Sequence, residues 1–145
     1  MDIEVIINNK YSNPKVTIYT DKMSDEISSV INIIKNENNS KLYGFLDNEL
    51  YFINFEDVFL LYSENGKVYA KTSKNSYLLK FRLYQLEEML DKNFIRISNS
   101  EIINIKKVKN LDFAMIGTIK INFINGTYTY ASRRFIKKIK DYLKI

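Results

Sequence analysis

The stretch Phe94-Ile95-Arg96-Ile97-Ser98-Asn99-Ser100-Glu101-Ile102-Ile103-Asn104-Ile105-Lys106-Lys107-Val108-Lys109 decides how the chain is read. Ile95 and Ile97 alternate with Phe94 and Arg96, the two-residue period of a strand. Ile102, Ile103 and Ile105 continue as β-branched residues suited to a pleated sheet. Between the two runs, Ser98, Asn99 and Ser100 are small, hydrogen-bonding turn residues. Lys106, Lys107 and Lys109 follow. Two buried strands would hold this polar corner rigidly. Hydroxyl and amide groups beside lysines then suit a polyanion.

Working outward toward the C-terminus, Leu111, Phe113 and Met115 suggest a strand and Gly117 to Ile124 another. Asn125-Gly126 marks a hairpin turn, and Thr127 to Ala131 returns. Ser132 can N-cap a final helix with the apolar stripe Ile136, Ile139 and Leu143. Toward the N-terminus, Leu83, Leu86, Met89 and Leu90 are spaced for a short helix. Before it, strands are expected at Leu42 to Leu46, Leu50 to Ile53, Val58 to Tyr62, Val68 to Thr72 and Tyr77 to Phe81. Asp47-Asn48 and Asn65-Gly66 are the tight turns between them, and Asn-Gly suits a type I′ turn because both central residues need positive φ. Lys67 stands at or just past that second tip.

Residues 1–40 read as an extension of two strands and one helix, and 41–145 as the main domain. Ile3, Val5 and Ile7 suggest one strand, Val16, Ile18 and Tyr19 the other. Ser24 precedes Asp25 and Glu26, the chemistry of a helix start, and Ile27, Val30, Ile31 and Ile34 share one helical face. Asn36-Glu37-Asn38-Asn39-Ser40 is a breaker or linker.

Charge is distributed unevenly. The net charge is +5. Residues 1–40 carry four lysines against six carboxylates, and residues 41–92 seven basic side chains against eight acidic. Residues 93–145 carry eleven against three, so the positive excess lies in the last third. Such a block favours a phosphate backbone as partner, although a solvated basic face looks the same in sequence. There is no cysteine and no histidine, which excludes disulfides, thiolate metal sites and the usual general base. Glu56-Asp57 and Glu87-Glu88 are adjacent pairs whose side chains diverge on a strand or helix. Four glycines form no phosphate-cradling loop. An enzyme is not expected, nor a metal or cofactor. No apolar run reaches the roughly 20 residues of a membrane span, so a cytoplasmic protein is expected.

Two features carry chemistry. Arg133 and Arg134 sit where the final helix begins, opposing the helix dipole, which costs about 0.3–1 kcal/mol each. With a capping hydroxyl and free amides they form an anion site, and arginine can also read guanine. They could instead lie over apolar surface. Asn99 can pair with adenine through donor and acceptor at once, or serve only as a turn residue.

The order Phe94-Ile95-Arg96-Ile97, Ser98-Asn99-Ser100, Ile103-Asn104-Ile105 resembles the LytTR family of bacterial DNA-binding domains. There a Phe-x-Arg-x strand leads to a Ser-bearing turn and a Val/Ile-Asn-x strand. The likeness covers about the last hundred residues and ends in a Ser-Arg corner and a basic helix. It implies a mostly-β fold of stacked short antiparallel sheets, with a side helix and a C-terminal helix. It implies sequence-specific binding of double-stranded DNA in transcription regulation, through loops at one sheet edge. Carried over by position, Lys67, Asn99 and Arg134 would contact bases. Lys67 stands where some relatives have histidine, so it could contact only phosphate, and Ser98 likewise replaces a frequent histidine. Ser98, Ser100, Lys106, Lys107, Ser132, Arg133, Lys137 and Lys138 would contact the backbone, the last two equally readable as a solvated face. The resemblance also implies a homodimer. The extension is read as its interface, or as the contact with a membrane-bound regulator. Two other partners fit the basic block: an acidic protein met by a basic face, or RNA stacked on surface aromatics.

Overall fold

The computed structural model describes residues 1–36 and 41–145. The chain divides into two compact units, Met1–Ile34 and Lys35–Ile145. Helix α1 (Asp25–Asn36) forms where the sequence expects it. Its N-terminus is closed by Ser24, whose Oγ accepts from Ile27 N at 3.3 Å, and Asp25 and Glu26 occupy the first turn. The two strands expected before α1 do not form. Each is only a few residues long, and residues 1–24 supply no ladder for its backbone groups, without which a short strand does not persist. The breaker read at 36–40 lies almost wholly outside the described residues.

Among the described residues the second unit holds ten strands. They are β1 (Lys41–Leu46), β2 (Glu49–Asn54), β3 (Leu60–Glu64), β4 (Lys67–Lys71), β5 (Ser76–Leu79), β6 (Phe94–Arg96), β7 (Glu101–Asn104), β8 (Val108–Asp112), β9 (Ile119–Phe123) and β10 (Tyr128–Ala131). Helix α2 (Leu83–Met89) lies between β5 and β6, and α3 (Ile136–Leu143) ends the chain. One sheet has seven strands in the order β2-β1-β5-β4-β3-β7-β6, and the other has three, β10-β9-β8. Neighbouring strands in both sheets run antiparallel.

Adjacent apolar residues on β3 and β7 explain how the layers stack. Neighbours on a strand face opposite ways. Leu61 and Ile102 point into one core with Leu42, Val68, Leu79 and the α2 residues Leu83 and Leu86. Leu60 and Ile103 point into a second core with Ile95, Ile97, Ile119, Ile121, Phe123 and the α3 residue Ile139. The large sheet is thus covered by α2 on one face, and by the small sheet with α3 on the other. Each fully buried Leu or Ile contributes roughly 1.5–3 kcal/mol.

Asn104 is the one buried polar residue among those described. Its Nδ2 donates to Val58 O at 3.0 Å, and its Oδ1 accepts from Lys106 N at 3.1 Å. It fastens the end of β7 to the chain entering β3 and turns the backbone into the short 3-10 turn Ile105–Lys107.

Two local expectations need correction, at Leu111 to Met115 and at Ser132, while the Asn125-Gly126 hairpin forms as expected. The strand expected over Leu111 to Met115 is β8, which ends at Asp112, because Asp112 Oδ1 takes Ala114 N at 2.8 Å and bends the chain away. Phe113 and Met115 are left exposed. The Asn125-Gly126 turn has positive φ at Gly126 alone, whose N donates to Phe123 O at 3.1 Å. Finally, Ser132 does not cap with its side chain: Arg133–Phe135 forms a 3-10 turn ahead of α3, bonded through Ser132 O.

Candidate nucleic-acid interface

The polar corner is built by Arg96. From β6 its Nε donates to Ser98 O at 2.7 Å, and Nη2 donates to Asn99 O. Its Nη1 reaches Glu87 Oε2 on α2 at 2.9 Å. A planar guanidinium offers donors in a fixed fork, so one side chain sets both turn carbonyls. Ser98 Oγ accepts from Ser100 N at 3.2 Å, closing the turn from within. The backbone is therefore held while the Asn99 side chain stays exposed.

Two backbone hydrogen bonds then bring other bends beside this corner. Ser63 N donates to Ser100 O at 2.8 Å, which places the β3–β4 hairpin next to it. Glu64 pairs with Lys67 one step further along, so Lys67 stands level with the corner, across β3. With adjacent strands about 4.8 Å apart, the two backbones lie roughly 10 Å from each other. The hairpin tip is the expected type I′ turn, with φ of 52° at Asn65 and 74° at Gly66. On the other side, Ser132 N donates to Ile97 O at 2.9 Å, carrying Ser132, Arg133 and Arg134 beside the corner. Lys67, Asn99 and Arg134 are all exposed.

The two arginines differ. Arg133 lies over Gly117, where an added Cβ would come within 2.9 Å of its Nη2. Arg134 is exposed and makes no side-chain hydrogen bond or ion pair among the described residues. On α3, Lys138 Nζ is 3.2 Å from Glu87 Oε1, so Glu87 ties Arg96 and Lys138 together, while Lys137 is exposed.

Lys106 and Lys107 are not brought to this edge. They follow Asn104 at the far end of β7, whose four residues span about 13 Å. Lys107 O accepts from Ile124 N at 3.0 Å, beside the β9–β10 tip, and its Nζ sits 5.4 Å from the Phe59 ring centroid. The basic last third therefore supplies both ends of β7 in the second unit. Sequence reasoning passed over two cations that do reach the edge, Lys80 and Arg82. Arg82 Nη1 donates to Gly66 O at 3.3 Å, fixing the hairpin tip. The only signal for Lys80 was its place one step past Leu79, opposite Val68.

Among the described residues no group of acidic side chains could hold a metal ion, and no helix is long and apolar enough to cross a membrane.

The profile of the LytTr DNA-binding domain matches residues 48–144. An uncharacterised HTH-type transcriptional regulator of Staphylococcus aureus strain MSSA476 is 38% identical over 146 residues, covering 100% of this chain and 99% of the relative. Counterparts from strains MW2 and MRSA252 match at the same identity and coverage. Among solved structures, the LytTr DNA-binding domain of a Bacillus cereus protein named as a methyl-accepting/DNA response regulator superposes with a TM-score of 0.71 at 21% identity. That match covers 73% of this chain and 98% of the other. The relatives' names speak of a helix-turn-helix, yet here five strands separate α2 from α3. The β-rich fold and the extent of these matches agree, and the chain belongs to the LytTR family of DNA-binding domains.

Proposed function

We propose that this protein is a transcriptional regulator that binds duplex DNA at a chosen sequence, entering the major groove with loops. The observation that carries this is the pair of bonds Ser63 N to Ser100 O and Ser132 N to Ile97 O, which gather three bends on one edge. Asn99 is assigned to adenine and Arg134 to guanine, each through two parallel hydrogen bonds. Lys67 reaches a base edge or the neighbouring phosphate. Ser98, Ser100, Ser132, Arg133 and Lys137 supply phosphate contacts that set register but carry no sequence information. Lys138 joins them only by leaving Glu87. Lys106 and Lys107 fall outside this footprint and would meet phosphate only on DNA that curves around the domain.

Paired binding by a homodimer belongs to the same proposal, with residues 1–40 as the interface or as the contact with a membrane-bound regulator. Sedimentation of the full chain on a duplex with two sites tests it: two copies per duplex are expected, one copy argues against it.

The direct test is a salt titration by fluorescence anisotropy. Log K should fall with log salt at a slope near about −0.9 per phosphate contacted. Arg134→Ala should cost about 1–3 kcal/mol on the selected duplex, leave a scrambled duplex nearly unaffected, and leave the unfolding midpoint in place. An undiminished preference would remove Arg134 from base reading. Stronger binding of single-stranded RNA than of duplex would replace the assignment altogether.

A further inference from the structure

Beside the hairpin tip, Lys80 and Arg82 join Lys67 around a notch that neither the Asn99 corner nor the Arg134 bend reaches. Val68 pairs with Leu79 across β4 and β5, so Lys67 and Lys80 leave neighbouring strands side by side. Arg82 is anchored twice, by Nη1 on Gly66 O at 3.3 Å and by its backbone N on Gln85 Oε1 at 2.8 Å. Lys80 Nζ rests 5.1 Å from the Phe45 ring centroid, which holds the long side chain against the sheet. Together with Lys67 they line an open cavity of about 370 Å³, beside Val68, Leu78, Leu79 and Phe81. Three cations stand among its lining residues and no carboxylate does.

We infer that this notch receives a phosphodiester of the DNA backbone, on the wall of the groove beside Lys67. Apolar lining residues beside three cations match a deoxyribose with its phosphate. The spacing agrees. Lys80 lies about three strand separations from the Asn99 corner, roughly 14 Å along the edge. The major groove is about 12 Å wide, so when Asn99 is over base edges the notch meets a wall, not the floor. Lys80 and Arg82 would therefore raise affinity on every sequence alike, and extend the footprint on the β5 side. The inference rests on the duplex binding proposed above.

The test joins a charge variant to a chemical footprint. Lys80→Gln removes one charge without breaking a hydrogen bond. It should flatten the salt slope by about 0.9 and weaken selected and scrambled duplexes equally, about fivefold at physiological salt. Arg82→Lys is the companion: it keeps the charge, so the slope should hold. Ethylation of one phosphate outside the base pair met by Lys67 should weaken the wild-type chain about fivefold and weaken Lys80→Gln little further. An unchanged slope in Lys80→Gln, with wild-type binding intact, overturns the notch alone. A wild-type chain that ignores duplex DNA overturns the notch and the proposed function together.

Discussion

Arg96 and Asn104 show how much of this molecule rests on single side chains. Arg96 gives three hydrogen bonds, two of them to carbonyls of the Ser98-Asn99 turn. Arg96→Ala should destabilise by about 1–3 kcal/mol in urea unfolding, since it strips two turn carbonyls of their donors and Glu87 of one of its cations. It should also reduce site preference, although Arg96 is not assigned to a base. Arg96→Lys should recover little, because a single ammonium cannot serve acceptors in three directions. Asn104→Ala leaves Val58 O without its side-chain donor and Lys106 N without its acceptor, at an expected cost of about 1–3 kcal/mol. A midpoint unmoved in Asn104→Ala would mean water replaces both bonds. The sequence already marked these residues, as the fixed points of Phe-x-Arg and Ile-Asn-Ile. Their roles were not legible, because the groups they bond to are main-chain carbonyls that come within reach only after folding.

Elements were read best where local chemistry and pairing agree. Asp47-Asn48 and Asn65-Gly66 have positive φ at both central positions, as their residue types demand. The doubled apolar pairs Leu60-Leu61 and Ile102-Ile103 belong to strands buried on both faces. Reading failed where a strand needed a neighbour the sequence could not name, as at Ile3 to Ile7 and Val16 to Tyr19. The final helix was placed correctly, but its start was not, since Ser132 spends its backbone on Ile97 and a 3-10 turn intervenes. Two glycines test the strands. A Cβ on Gly66 meets nothing within 4 Å, so Gly66→Ala should cost only the positive φ, about 1 kcal/mol. A Cβ on Gly44 would stand 2.8 Å from Tyr77 Cβ, where β1 meets β5. Gly44→Ala must push these strands apart and should cost about 1–3 kcal/mol, measured by thermal unfolding. A Gly44→Ala midpoint unchanged from the wild type would contradict that close approach.

At the scale of the whole molecule, charge and topology answer different questions. The sequence placed the positive excess in residues 93–145 but could not say that β7 divides it between two ends. Only strand order brings Lys67, from the net-acidic middle of the chain, level with Asn99. The absence of histidine has a consequence for regulation. No side chain here ordinarily titrates between about pH 6 and 8, so duplex affinity should be nearly flat over that range at fixed salt. A tenfold change would point to a shifted carboxylate or lysine at the edge. The central claim is that Asn99 and Arg134, on separate bends of one edge, each read their own share of a single DNA site. Selection of bound duplexes from a random pool, run in parallel on the wild-type chain, Asn99→Ala and Arg134→Ala, measures it directly. The wild type should enrich one motif, and each variant should lose preference at a different base position within it, keeping the rest. No enriched motif, or the same motif at full strength from all three chains, would contradict it.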